Sequence, residues 1–305
     1  MSFIVRSTEI ADSRYRGLER WRTEERISAL VEGNWRAISA CASASADISR
    51  SVDAAVDCLA DGEGRLIYAG AGTSARVAVA DLAELHPTFG WPSSRALSLM
   101  AGGDQTAHRE SGGSEDSEED AIAAVEKAKI GPSDVVVGIA ASGRTPFTCA
   151  ALQAARSAGA VTIGISNVAK ARLLEVAALG ITLNTGAEVL AGSTRLAAGT
   201  SQKVALNSFS TAVMSGLGLI YQGRMIAMQV SNQKLQTRAI EMVVELCKVD
   251  AITATDLLRQ HDWSIWRAMF SAFGFGANAT EELLSKHHGR VAAALAEASG
   301  EPFVA

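Results

Sequence analysis

The sequence predicts an α/β fold, a doubly wound parallel sheet flanked by an N-terminal helical arm and a small C-terminal helical appendage. Three observations carry this reading. Short runs of almost uninterrupted apolar residues recur, each closes in a turn of small residues, and a stretch with helical spacing follows each turn. Strands that are apolar throughout belong to a sheet covered on both faces, and the intervening helices make the crossovers that parallel strands require.

The elements follow in order. Residues 1–36 are rich in Arg and Glu, with Leu18, Trp21, Ile27, Leu30 and Val31 at helical spacing, and predict an amphipathic arm. A helix is expected over about 45–59, stopped at Asp61-Gly62. Residues 65–69 (RLIYA) read as a strand closing in Gly70-Ala71-Gly72-Thr73-Ser74, before a helix whose apolar face carries Val77, Val79, Leu82 and Leu85. Further strands are expected at 97–100, 134–140 (DVVVGIA), 161–166 (VTIGIS) and 179–183. The third of these five runs leads through Ser142-Gly143-Arg144-Thr145-Pro146 into an Ala-rich helix ending near 158. A long apolar helix is expected over 202–221, and the segment before it also reads as a flexible loop with an N-cap at Thr200 or Ser201. Residues 250–298 show helical periodicity alone, with a break at His261-Asp262-Trp263 and a loop over 274–280 capping a last helix from about Glu281. The predicted organisation is an arm (1–44), a ligand-binding α/β domain (45–245) and an appendage (246–305).

Composition narrows the functional classes. Twenty-eight Lys and Arg against 33 Asp and Glu leave a net charge of −5, so nothing points to nucleic acid; the arm itself has seven Arg against six acidic residues and no helix-turn-helix pattern. No apolar run approaches the ~18 residues that span a bilayer, and residues 1–9 do not read as a secretory signal. Cys41, Cys58, Cys149 and Cys247 are widely spaced, which argues against a zinc site or disulfide framework and predicts core thiols in a cytoplasmic protein. His287-His288 reads as a solvated helix end, and no metal is expected.

Two loops of one sheet, Gly72-Thr73-Ser74 and Ser142-Gly143-Arg144-Thr145, place hydroxyls and backbone N–H groups at helix starts. Ligands of open parallel sheets bind at the carboxyl ends of strands, and helix N-termini favour anions, so the pair suits a phosphate ester. The competing reading is of two tight βα turns with N-cap hydroxyls. Gly70, Gly72 and Ala75 fit a permissive dinucleotide spacing, but the next strand ends in Met100-Ala101-Gly102 without the acidic residue that a ribose needs. No GxxxxGK[ST] string occurs. A small phosphorylated metabolite is therefore expected, without a cofactor. A third segment, GAEVLAGSTRLAAGTSQK (186–203), combines glycines, hydroxyls and Arg195, and would be placed to close over such a ligand.

The strings GRLIYAGAGTSAR (64–76), HPTFG (86–90), AGGD (101–104), SEDS (114–117), DVVVGIAASGRTP (134–146), GAEVLAGSTRLAAGT (186–200) and NQKL (232–235) fall in order over about three fifths of the chain. In these the sequence resembles the N-acetylmuramic acid 6-phosphate etherases, in the sugar-isomerase (SIS) fold group that also includes the glucokinase regulatory protein. The resemblance implies cleavage of a lactyl ether by elimination and hydration. Glu84 would be the acid that protonates the leaving oxygen and Glu115 the base at C2. The phosphate would sit on Thr73, Ser74, Ser142, Gly143 and Thr145, with Arg144 and Ser193 as further contacts. The residues alone leave Glu84 readable as a solvated helix residue and Glu115 as part of an acidic helix start.

Departures from the family pattern are Ala75 for Gly, Ala197 for Lys, and Leu85-His86 for Cys-Pro, with His86 read as incidental. They leave the exact sugar open. The resemblance also implies a homodimer, for which the 202–221 helix offers an apolar face. A phosphosugar sensor and an aldose–ketose isomerase on the same fold remain the alternatives; Glu84 discriminates the latter, which needs no acid at C3.

Overall fold

A computed structural model describes residues 7–60, 62–103 and 113–300. The expected helix stop at Asp61 and Asp104 of the AGGD string lie outside the described residues. The five predicted strands form one parallel sheet: β1 (Leu66–Gly70), β2 (Ala96–Met100), β3 (Val135–Ala140), β4 (Val161–Ser166) and β5 (Leu179–Thr182), in the order β2-β1-β3-β4-β5. Leu66 aligns with Ala96 on one side and Val135 on the other, Val135 with Val161, and Ile163 with Leu179. β1 and β3 are buried at every position, as their unbroken apolar sequences require of strands covered on both faces. This order is that of the flavodoxin-like doubly wound sheet, whose crossover direction reverses between β1 and β3.

Helices α1 (Thr23–Ser43) and α2 (Ser45–Leu59) precede the sheet, and α3 (Gly72–Phe89) follows β1. After β2 come α4 (Glu118–Lys127), α5 (Pro146–Ser157) behind β3, α6 (Arg172–Val176) behind β4, and α7 (Ala197–Gly216) beyond β5. One face of the sheet is a core of Ile67, Val136, Leu152 and Leu173 with α4 and α5. On the opposite face Tyr68 donates to Asp81 of α3 (2.8 Å), which also accepts from Ser210 (3.1 Å) and Asn207 of α7. Burial and then the neighbouring Asp81 push the Tyr68 phenol well above its ordinary pKa.

The chain forms two compact units. The first comprises residues 1–82 and 94–210, the second 83–93 and 211–305. The second holds α8 (Gln233–Cys247), α9 (Ala251–Gln260), α10 (Ile265–Ala272), α11 (Ala277–Lys286) and α12 (Val291–Ser299) around Met242, Leu258, Met269, Phe270 and Leu295. The break at 261–263 is present, with Asp262 and Trp263 both left-handed. The expected start of a last helix near Glu281 is corrected: α11 begins at Ala277, so Asn278 and Thr280 lie inside it, and the Ala-rich run forms α12 beyond the left-handed pair His288 and Gly289. His287 lies 2.8 Å from Glu297, which Lys286 also contacts.

Two further expectations are corrected. The long apolar helix starts five residues earlier than 202, at Ala197, and its N-cap is neither Thr200 nor Ser201. Helix α1 is amphipathic in an inverted sense. Its small residues Ala29, Gly33, Ala37 and Ala40 are buried, whereas Ile27, Val31, Trp35 and Ile38 are exposed. The reason is close approach: a Cβ on Gly33 would fall 2.4 Å from Val189 Cγ2, so only small side chains fit beneath this helix.

Candidate active site

A polar cavity of about 380 Å³ lies in the first unit at the carboxyl ends of β1 and β3, where the crossover direction reverses. The first loop lines it with Gly72, Thr73 and Ser74, and the second with Ser142, Arg144 and Thr145. These are the two hydroxyl loops singled out from the sequence. They meet because β1 and β3 are hydrogen-bonded neighbours although 64 residues of chain lie between the two strands.

The second loop is shaped for an anion. Gly143 has φ +60°, and a Cβ there would lie 2.3 Å from Ser166 Oγ and 2.4 Å from Ala171 Cβ, so only glycine lets the turn pass over the end of β4. Gly143 packs against these groups and is not itself a lining residue. Ser142 Oγ accepts from Arg144 N–H (3.3 Å), which leaves its own hydrogen to donate. Thr145 precedes α5 without a side-chain cap, and Pro146 fills the first helical position. The start of α5 thus offers partial positive charge to the cavity. Beneath it, Cys149 is buried and its thiol pushed up to about 11 by desolvation, so it is no nucleophile near neutrality.

Glu115 also lines the cavity, from a 3-10 turn (Ser114–Asp116) that precedes α4, whose N-cap is Ser117. It is exposed and lies outside the first turn of α4, apart from the acidic helix start. Asp116 lines the cavity beside it. Glu84 lies on α3, exposed, in the second unit, and is not among the lining residues. His86 Nδ1 donates to the Trp91 carbonyl (3.1 Å).

The third segment enters through Gly192 and Thr194; Ser193 between them is not a lining residue. The segment is not a loose loop. Its backbone is closed by Ser193 N–H to Leu190 O (2.9 Å), Leu196 N–H to Ser193 O (3.1 Å) and Gly199 N–H to Thr194 O (2.8 Å). Glu188, 1% exposed, accepts from Ala197 N–H (3.0 Å) and Ala198 N–H (2.9 Å), so a carboxylate nine residues before the first helical residue caps α7. Asn167 donates to Ser201 Oγ (2.8 Å) and to Leu183 O (2.9 Å), tying this helix start to the ends of β4 and β5.

Sequence reasoning gave no role to Thr8, Glu9, Asp116, Thr194 or Glu188. Glu188 stands within the third segment, but its cap runs between residues nine and ten apart, outside the usual capping spacing. Thr8 and Glu9 lay in a segment read only as an amphipathic arm.

Residues 47–156 match the glucokinase regulatory protein N-terminal SIS domain, and residues 113–212 the SIS domain. An N-acetylmuramic acid 6-phosphate etherase of Deinococcus radiodurans is 38% identical over 96% of this chain and 96% of its own length. One from Salmonella dublin is 40% identical over 90% of this chain and 92% of its own. One from Gloeothece citriformis is 38% identical over 94% of each. The chain belongs to the N-acetylmuramic acid 6-phosphate etherase family.

Against that family, two departures acquire a physical setting. Ala75, where the etherases usually have Gly, is buried and absent from the cavity wall, so its methyl does not enter the ligand space. Ala197, where they usually have Lys, is buried, and its backbone N–H donates to Glu188. Among the described residues, no helix is long and apolar enough to cross a membrane.

Proposed function

We propose that the protein cleaves the D-lactyl ether of N-acetylmuramic acid 6-phosphate, giving N-acetylglucosamine 6-phosphate and D-lactate. The observation that carries this is the convergence of Glu115 with both hydroxyl loops on one cavity at the switch point of the sheet. Thr73, Ser74, Ser142 and Thr145 donate to the phosphate, Arg144 adds charge, and Gly143 shapes the turn. Ser193 is read as a further contact from the third loop. Glu115 removes the C2 proton, acidified by the C1 aldehyde of the open-chain sugar. The C3–O bond then breaks, and its oxygen takes a proton as lactate leaves. Water adds across the C2–C3 double bond to restore the sugar. The acid role of Glu84 is carried by family resemblance alone.

The protein is read as a cytoplasmic homodimer. The apolar face of α7 (Leu206, Phe209, Val213) is buried within the chain, whereas the exposed stripe Ile27, Val31, Trp35 and Ile38 on α1 offers a surface for a second copy. Incubation with N-acetylmuramic acid 6-phosphate followed by assay for D-lactate tests the activity. Binding of the sugar phosphate without release of D-lactate would instead favour a sensor.

A further inference from the structure

We propose that Glu9 is a substrate-binding carboxylate of this cavity, accepting a hydrogen bond from a hydroxyl or the acetamido N–H of the sugar, so that the N-terminal segment forms part of the site. The proposal rests on the sugar-phosphate reading above.

Glu9 lines the cavity from a 3-10 turn (Ser7–Glu9). The turn is fixed in place, because Gly192 N–H donates to the Thr8 carbonyl at 3.0 Å and Thr8 is 1% exposed. The carboxylate lies over Gly192: a Cβ built there would be 3.2 Å from Glu9 Oε2, and φ at Gly192 is +76°. The missing side chain leaves the room that the carboxylate occupies. Among the described residues Glu9 has neither an ion pair nor a hydrogen bond to its carboxylate.

The chemistry of the walls selects the partner. One set of lining groups is made of donors: the hydroxyls of the two loops, the α5 start and Arg144. Glu9, Glu115 and Asp116 can only accept while ionised. A carboxylate repels the phosphate dianion, so Glu9 must face hydrogen-bearing groups of the ligand. A sugar phosphate has the same polarity, with acceptors on the phosphate and donors on the ring carbons. Glu115 is engaged with the C2 proton, which leaves Glu9 to hold the sugar.

Calorimetry with N-acetylglucosamine 6-phosphate and with inorganic phosphate tests this on the wild type, Glu9→Ala and Glu9→Gln, with Glu24→Ala on the exposed surface of α1 as control. Glu9→Ala is expected to weaken the sugar phosphate on the order of tenfold or more, as a lost hydrogen bond to a charged group implies, and to leave inorganic phosphate within about twofold. Glu9→Gln, which keeps one acceptor oxygen, should fall between, and the thermal midpoints should match the control. Equal loss of both ligands would assign the segment a merely structural role and overturn the proposal, as would unchanged sugar-phosphate affinity. Release of D-lactate by the wild type is read in a separate assay. Its absence defeats the etherase reading while the ratio of the two affinities still decides Glu9. A wild type that binds no sugar phosphate overturns both.

Discussion

Helices α5 and α7 both begin after loops of glycine, alanine and hydroxyl residues, yet their starts are used in opposite ways. At α5 the N-cap Thr145 makes no side-chain bond, and the loop lines the cavity. At α7 the first two N–H groups are taken by Glu188, a buried carboxylate from the protein itself. A helix start attracts negative charge in either case. Where the chain supplies that charge the start is a staple, and where it does not the start is a place for a ligand. The contrast teaches that a phosphate-like loop composition does not by itself mark a phosphate site.

The largest effect should come from the open side. Glu115→Gln is expected to lower D-lactate release by ~10²–10⁴-fold and to abolish exchange of the C2 proton with deuterated water, with the fold unchanged by circular dichroism. Retention of wild-type rates would break the assignment of this cavity to the chemistry. Next is the staple: Glu188→Ala leaves two buried N–H groups without an acceptor, and should cost roughly 2–4 kcal/mol in urea unfolding without any ligand present. Glu188→Gln should cost less. If both variants melt like the wild type, α7 is not held as described.

Ser74→Ala and Ser142→Ala should show the converse pattern. Each is expected to weaken hexose 6-phosphate binding by about 1–3 kcal/mol in calorimetry, while the ligand-free thermal midpoint stays the same. Equal affinity for the sugar and its phosphate would erase the distinction between the two helix starts.

The smallest effect belongs to the opposite end of the sheet, where Asp134 pairs with Arg65 (2.7 Å) before β3. Burial pushes the Asp134 carboxyl up, but hydrogen bonds from the Arg65 side chain, Gly131 N–H and Arg65 N–H outweigh it and hold the pKa below its ordinary value. A lowered folded pKa means that the stabilisation is complete above the unfolded value near 3.8 and is lost as pH falls through the folded one. Asp134→Asn should therefore cost about 1–2 kcal/mol at pH 7, and the difference from wild type should shrink in strong acid. A difference independent of pH would show that the pair contributes through packing alone.

The sequence by itself determined the sheet. Unbroken apolar runs such as 135–140, each closed by a small-residue turn and followed by a helical stretch, read as strands covered on both faces, and Gly143 and Pro146 mark the turn and the helix start. Both hydroxyl loops were legible in the same local way, whereas Glu115 was singled out only through the family resemblance. Only the tertiary structure decided what depends on residues distant along the chain. It brought Thr8 to Gly192 across more than 180 residues, placed Glu9 in the cavity, and turned the small-residue face of α1 inward by setting Gly33 against Val189. It also gave the α7 start to Glu188. The order of strands along a sheet and the fit of backbone against backbone are set by packing between elements, and neither leaves a periodicity in the sequence that could be read beforehand.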